Sequence, residues 1–310
     1  MYDIIIVGAG PAGLTAAIYA RRAGKSVLVL ERSTFGGQMT YSPKIENYPG
    51  FAEISGVELA DRMVEQALSL GAEIDPVTVE GVRRSADGRC ITADTDDGEK
   101  KARAVIIASG ASHRRLGLDG EDELVGRGVS FCAVCDGAFY AGKRVAVIGG
   151  GNSAIVEAAM LADTAAHVTV VQNLGNLTGE PASAAALAAR GNVDIVFNTV
   201  ACGYIKDGDR LCGLRLRNTA SGEESRIDAD GVFIAIGLAP ENRPFADVAR
   251  LDERGYITAD GDVGTGTPGV FVAGDCRTKT VRQISTAAAD GAVAALAACG
   301  YIDSMSVRDE

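Results

Sequence analysis

Tryptophan is absent from the 310-residue chain, histidine occurs twice and proline eight times. Basic residues are the shortfall with the largest consequence: 30 Lys and Arg against 41 Asp and Glu leave a net charge of −11. A protein that grips nucleic acid through its phosphates needs a basic surface, so that class is excluded. No uninterrupted apolar run reaches the ~18 residues of a membrane span. The most apolar late stretch, 287–302, is interrupted by Asp290 and Gly291. The chain opens on a strand pattern, Met1-Tyr2-Asp3-Ile4, without the basic segment that begins a signal peptide. The expectation is a cytoplasmic protein with neither membrane nor nucleic acid as partner.

Seven cysteines stand at 90, 132, 135, 202, 212, 276 and 299. In a reducing compartment Cys90, Cys202, Cys212 and Cys299 read as buried small hydrophobes. Cys132-Ala133-Val134-Cys135 is a lone C-x-x-C, whereas a structural zinc site takes a second ligand pair. The two histidines, His113 and His167, are remote from it in sequence. No metal is expected, and redox chemistry is left in front.

Glycine is abundant, at 39 residues, in a composition that is 47% hydrophobic and 23% charged. That balance belongs to a globular protein, and the length has room for two domains. The glycines cluster in a pattern that occurs twice. Residues 4–13 read IIIVGAGPAG, and 141 residues later 145–154 read VAVIGGGNSA. Each is an apolar strand ending in G-x-G-x-x-G/A. An alanine-rich helical stretch follows each, at 14–23 and 155–162, and then a second strand, SVLVLE at 26–31 and HVTVVQ at 167–172. A single such turn is weak evidence, but two at matched spacing predict two βαβ dinucleotide-binding units in an α/β fold.

In the first unit Gly8 permits the tight turn, Gly10 lets the backbone approach a pyrophosphate and Gly13 lets helix and strand pack closely. The helix start offers free N–H groups and a positive dipole end to phosphate. Glu31, 18 residues beyond Gly13, is placed to accept hydrogen bonds from a ribose. Further strands are expected at 104–111 and 231–240, each ending in a small-residue crossover turn. GVFVAGDC at 269–276 adds another, followed by a helix from about 285 to 298. Because the second unit has its own closing strand at 231–237, the late strand belongs to the first, which is therefore discontinuous.

Taken together in order, GAGPAG at 8–13, Glu31, Gly36-Gly37-Gln38, IENYPG at 45–50, Ala108-Ser109-Gly110, CAVCDG at 132–137, GGGNSA at 149–154, Gly274-Asp275 and Arg282-Gln283 resemble the low-molecular-weight, FAD-dependent thioredoxin reductases. The resemblance spans nearly the whole chain. In lipoamide-dehydrogenase-type relatives the redox cysteines follow the first FAD motif, and here 36–43 has none.

The resemblance implies two Rossmann-like domains. An FAD domain would comprise 1–112 and 243–310, and an inserted NAD(P)-type domain, 113–242, would carry the C-x-x-C and rotate on its two crossovers. By position, Gly8, Gly10, Pro11, Ala12 and Gly13 would hold the pyrophosphate and Glu31 the adenosine ribose. Gly37, Gln38 and Asn47 would lie along the flavin, with Ser109 and Gly110 at the first crossover turn. Gly274 and Asp275 would bind the ribityl chain, and Arg282, Gln283 and Ile284 would meet the pyrimidine edge. Cys135 would be the sulfur nearest the flavin, and Cys132 the one that attacks the partner's disulfide. Asp136 would be the proton donor to the leaving thiolate, with a helix cap as its alternative role. Thioredoxin or a thioredoxin-like protein is the implied partner, and a homodimer the implied assembly.

The second glycine turn departs from the family. Gly149, Gly151, Asn152 and Ser153 could hold a nicotinamide nucleotide, but Gln172 takes the position equivalent to Glu31. An NAD site wants an acid there and an NADP site wants arginines. No Lys or Arg occurs from 171 to 189, and Val156 replaces the first of two glutamates common in the family. The His113-Arg114-Arg115 string lies in the crossover instead. NADPH, NADH with Gln172 at the ribose, and reduced ferredoxin all stand as electron donors. A ferredoxin–NADP reductase or a non-catalytic FAD redox sensor of the same fold is the alternative function, and the C-x-x-C argues against the former.

Overall fold

The computed structural model describes residues 1–42, 44–259 and 263–306. Pro43, residues 260–262 and residues 307–310, the latter two within the expected segment 243–310, lie outside the described residues. The chain divides into two compact units, one of Met1–Ser112 with Ala239–Glu310 and the other of His113–Leu238. The return crossing thus falls four residues before the expected 243.

In the first unit the strand Tyr2–Val7 is flanked by Val27–Leu30 and Gly98–Ile107, and all three run parallel. Glu73–Asp75 extends the parallel sheet at one edge and Val270–Val272 joins it alongside Gly98–Ile107. The other half of Gly98–Ile107 enters an antiparallel meander with Ile91–Thr95 and Val79–Arg84. Ile4, Ile5 and Ile6 are all fully buried because both sheet faces are covered. Their alternation assigns Ile4 and Ile6 to one core and Ile5 and Val7 to the other.

The first core is closed by the helices Pro11–Arg22 and Ile284–Ser306. These cross closely at Gly291, where a Cβ would come within 2.1 Å of the Ala12 carbonyl oxygen. The late helix runs about two turns past the expected 298. By length and composition alone, Ile284–Met305 could cross a membrane. Its Ala294, Ala295 and Ala298 are instead fully buried in the first core. The Asp290-Gly291 interruption is therefore a packing device and a loop anchor, described below.

The second unit repeats the scheme. Val193–Val196, His167–Val171, Arg144–Ile148, Gly231–Ile234 and Val129–Ser130 form, in that order, a parallel sheet. A separate antiparallel sheet comprises Thr199–Asp207, Arg210–Asn218 and Glu224–Asp228. The duplication extends to single atoms. Gly8 (φ +106°) faces the Ala108 carbonyl as Gly149 (φ +129°) faces that of Ala235, and a Cβ would meet the oxygen at 2.3 and 2.5 Å. No side chain fits either turn. Of the cysteines expected to be buried, Cys299 is, whereas Cys90, Cys202 and Cys212 are only half-buried, each lying in or beside an exposed antiparallel hairpin.

Candidate functional site in each unit

The turn after Tyr2–Val7 is held open by packing beneath it. A Cβ on Gly13 would lie 1.8 Å from the Gly8 carbonyl oxygen, so that glycine serves helix–strand contact. A Cβ on Gly10 would meet nothing within 4 Å. Gly10 stands at the start of Pro11–Arg22, which has no side-chain cap, leaving the first helical N–H groups free for an anion. Pro11 occupies the first turn without wasting a donor. Gly37 (φ +58°) backs onto Gly10, and the Gly36 amide is anchored on the Ala9 carbonyl at 2.8 Å.

Glu31 does more than the sequence indicates. Its Oε2 accepts the Ala9 amide at 2.7 Å, while Oε1 accepts the Ser33 amide at 2.9 Å. The carboxylate thus pins the glycine loop, and only its remaining lone pairs are available to a ribose.

Asn47 and Gln283, 236 residues apart, are brought together by an Asn47 Nδ2 to Gln283 Oε1 hydrogen bond at 3.2 Å. Gln38 is exposed within the 3₁₀ turn Gly37–Tyr41. Ser109 Oγ donates to Asn242 Oδ1 at 3.0 Å. Gly110 (φ +69°) faces open space. Gly274 (φ +80°) lies against Ala12 and donates its amide to Asp290 at 3.0 Å. Arg282 stacks over the Tyr256 ring at 4.4 Å, next to the helix that starts at Ile284.

Asp275 tests the fit to FAD. Its Oδ1 is buried and has no hydrogen-bond partner among the described residues, with Lys279 Nζ 4.0 Å away. Burial pushes its carboxyl above the usual range despite Lys279 and Arg282. A buried acceptor of this kind calls for a hydroxyl donor, which a ribityl chain supplies. The open Gly10 turn, the uncapped helix start and Asp275 together fit FAD.

Two residues of this unit escaped the sequence reading. Asn242 is buried and its Nδ2 bridges the carbonyls of Gly255 and Cys276 at 2.9 and 2.8 Å. Asp290 gathers Arg277 and Lys279 as well as the Gly274 amide. An acid in the middle of the alanine-rich stretch 285–298 was the available signal for Asp290. Asn242 carried none.

In the second unit Cys132 and Cys135 are joined as a disulfide, with Cα atoms 5.3 Å apart. They frame the short helix Ala133–Asp136, whose cap is Cys132: the Cys135 amide donates to its Sγ at 3.2 Å. Asp136 makes no cap hydrogen bond, which corrects the alternative role expected for it. Instead Ser130 Oγ donates to Asp136 Oδ2 at 2.6 Å, and Oδ1 is buried with no partner among the described residues. Burial raises the Asp136 carboxyl above its ordinary range, partly offset by Ser130. A neighbouring carboxyl, Glu157, accepts the Ala133 amide at 3.4 Å.

The second glycine turn is built like the first: the helix Asn152–Ala162 starts at Gly151 without a side-chain cap, and a Cβ on Gly151 would meet only Thr178 Oγ1 at 3.9 Å. Gln172 is buried against Gly150, and its Nε2 donates to the Asn176 carbonyl at 3.0 Å. The Thr178 amide donates to the Gly150 carbonyl at 2.8 Å. Asn152 Oδ1 accepts the Glu180 amide at 2.7 Å, while Ser153 stays exposed. The segment 176–180 is thereby fastened onto the turn, as Gly36 is fastened to Ala9 in the first unit, and Gln172 lies against Gly150 as Glu31 lies against Ala9.

Residues 2–291 match the pyridine nucleotide-disulphide oxidoreductase family. A thioredoxin reductase of Listeria monocytogenes is 42% identical over 305 residues, covering 98% of this chain and 95% of that protein. One of Bacillus subtilis is 42% identical, covering 98% and 96%. The crystal structure of thioredoxin reductase from Streptococcus pyogenes superimposes with a TM-score of 0.92 at 38% identity, covering 98% and 99%. The paired glycine turns, the FAD-fitting cradle and the C-x-x-C disulfide thus have full-length counterparts, and the chain belongs to the pyridine nucleotide-disulphide oxidoreductase family, in its thioredoxin reductase branch.

Proposed function

We propose a thioredoxin reductase whose flavin receives its electrons from a small protein donor, reduced ferredoxin, rather than from NADPH or NADH. The chain is an FAD-dependent enzyme that reduces the disulfide of thioredoxin. FAD, when bound, supplies the conversion of incoming electrons into a two-electron reduction of Cys132–Cys135.

The observation that carries the reductase reading is the Cys132–Cys135 disulfide capped by its own backbone amide. Once reduced, Cys132 as thiolate attacks one sulfur of the partner's disulfide and the other sulfur leaves. Asp136 is proposed to protonate that leaving thiolate. Cys135 then attacks Cys132 Sγ, which restores the intramolecular disulfide and frees the second partner thiol. Flavin contacts are proposed for Gly37, Gln38, Asn47, Ser109, Gly110, Gly274, Asp275, Arg282, Gln283 and Ile284.

Support for a donor other than a nicotinamide nucleotide comes from the strand end that follows the second glycine turn. Gln172 stands there in place of an acid, and no basic residue occurs from 171 to 189. Each missing charge-assisted bond to a 2′-phosphate is worth ~1.5–3 kcal/mol, so two absences weaken NADPH by roughly 10² to 10⁴. Anaerobic titration with NADPH, NADH and reduced ferredoxin, followed by flavin bleaching and thiol release from oxidised thioredoxin, tests the donor. Rapid bleaching by micromolar NADPH overturns it. A homodimer and a cytoplasmic location accompany this reading, and light scattering of the purified protein checks the former.

A further inference from the structure

Glu157 is the lone acid of the helix Asn152–Ala162, which packs against the short helix carrying the disulfide. Its Oε2 accepts the amide of Ala133, the buried first residue between the two cysteines. On the same four-residue turn, the Cys135 amide points at Cys132 Sγ, so charge left on that sulfur meets a donor. We propose that Glu157 is a positioning and proton-buffering residue for the dithiol, neutral while Cys132 carries a thiolate and ionised while the pair is a disulfide. The proposal rests on the disulfide-reductase reading and extends it.

The physical basis is that a carboxylate bonded to the turn and a thiolate on it, both partly desolvated, oppose each other, so their protons titrate as a coupled pair. Burial pushes the Glu157 carboxyl up to about 7, with the Ala133 amide acting against it, so it changes charge at working pH. The step balances as follows. Two electrons, which FAD when bound would supply, break the S–S bond; of the two protons taken up with them from the reduced cofactor and solvent, one goes to Cys135 Sγ and one to Glu157, and Cys132 is left as thiolate. When the partner's disulfide is reduced, the electrons pass to its two sulfurs. Asp136 hands the first proton to the leaving thiolate and is reprotonated at the expense of Glu157, and Cys135 gives up the second as it attacks Cys132.

The charged and titratable groups around Glu157 are few. Asp136 lies on the disulfide helix and is held by Ser130. Tyr140, pushed up to about 12 by burial and by Asp136, lies on the following turn, with Lys143 over its ring. The strands beneath contribute Arg144, paired with Asp228, and His167, paired with Asp194. The neighbouring helix Pro181–Ala188 contributes no titratable side chain.

The test uses full-length holoenzyme reduced anaerobically, in wild type and in Glu157→Gln, which keeps an acceptor for the Ala133 amide. Alkylation of Cys132 by iodoacetamide, localised by peptide mass, is followed from pH 5 to 9. The expected profile has two inflections in wild type and one in Glu157→Gln, with the Cys132 midpoint lower by about one pH unit in the variant. Superimposable profiles overturn the proposal. Should Glu157→Gln fail to fold, the infrared difference between oxidised and reduced wild type at pH 7.5 decides. A protonated-carboxyl band must appear on reduction and persist in Asp136→Asn, and its absence overturns the proposal. Counting thiols separates the two levels: if reduction exposes no two new thiols, the disulfide-reductase reading fails instead.

Discussion

Gln172 donates its side-chain amide to the Asn176 carbonyl, and in doing so turns inward against Gly150 from the position where a dinucleotide site would present an acid. Glu31 is turned onto Ala9 in the same way without closing the first turn, so the missing charge is what limits NADPH binding. Placing arginines at 173 and 176 should raise NADPH affinity by ~10²-fold or more, measured by calorimetry. A gain below tenfold would locate the defect in the loop instead.

The first glycine turn separates packing from ligand approach. Gly13→Ala should destabilise the apoprotein by about 1–3 kcal/mol, since its Cβ would collide with the Gly8 carbonyl. Gly10→Ala should leave apoprotein unfolding within about 1 kcal/mol of wild type while weakening FAD at least tenfold. Urea unfolding and flavin-fluorescence titration read the two effects independently.

Asn242→Ala should cost about 2–4 kcal/mol. The substitution leaves the carbonyls of Gly255 and Cys276 without their donor and frees Ser109 Oγ. Asn242→Asp should be as damaging, because a carboxylate cannot donate to either carbonyl. A loss below about 1 kcal/mol in the urea midpoint would mean that other donors take over.

Glu157 makes stability depend on pH with a defined sign. Unfolded glutamate titrates near ~4.3, whereas burial holds the folded group near 7. The folded state therefore binds the proton more tightly across that window. Stability should be highest below the unfolded value and fall, by on the order of 2–3 kcal/mol, as pH rises to about 7. Glu157→Gln should flatten that slope between pH 5 and 8 in urea titrations.

Cys132→Ser should abolish thiol release from oxidised thioredoxin yet leave the flavin reducible, because the attacking sulfur is gone while the electron entry is intact. Turnover at the wild-type rate would remove Cys132 from its assigned role.

Much of this site was legible because backbone chemistry is written locally. Gly8, Gly10 and Gly13 each answer a steric demand set within a few residues, and the C-x-x-C spacing places Cys135's amide at Cys132's sulfur. The same logic found the second turn through Gly149. It was incomplete where the fold chooses the partner. Glu31 reads only as a ribose acceptor until the fold sets the Ala9 amide, 22 residues away, on it, and the cap offered as the alternative role of Asp136 gives way to a hydrogen bond from Ser130.

The sequence by itself determined the two βαβ units, the discontinuous course of the first and the identity of the redox pair, since each depends on periodicity, spacing and the conformational freedom of glycine. Only the tertiary structure decided which polar groups are spent and which remain. Asp275 keeps a buried oxygen without a partner among the described residues, Gln172 is consumed by its own loop, and Glu157 reaches the C-x-x-C across a helix packing. Hydrogen-bond satisfaction and desolvation depend on how the chain is folded around each group, whether the partner is 4 residues away, as for Gln172, or 24, as for Glu157, and no local pattern encodes that.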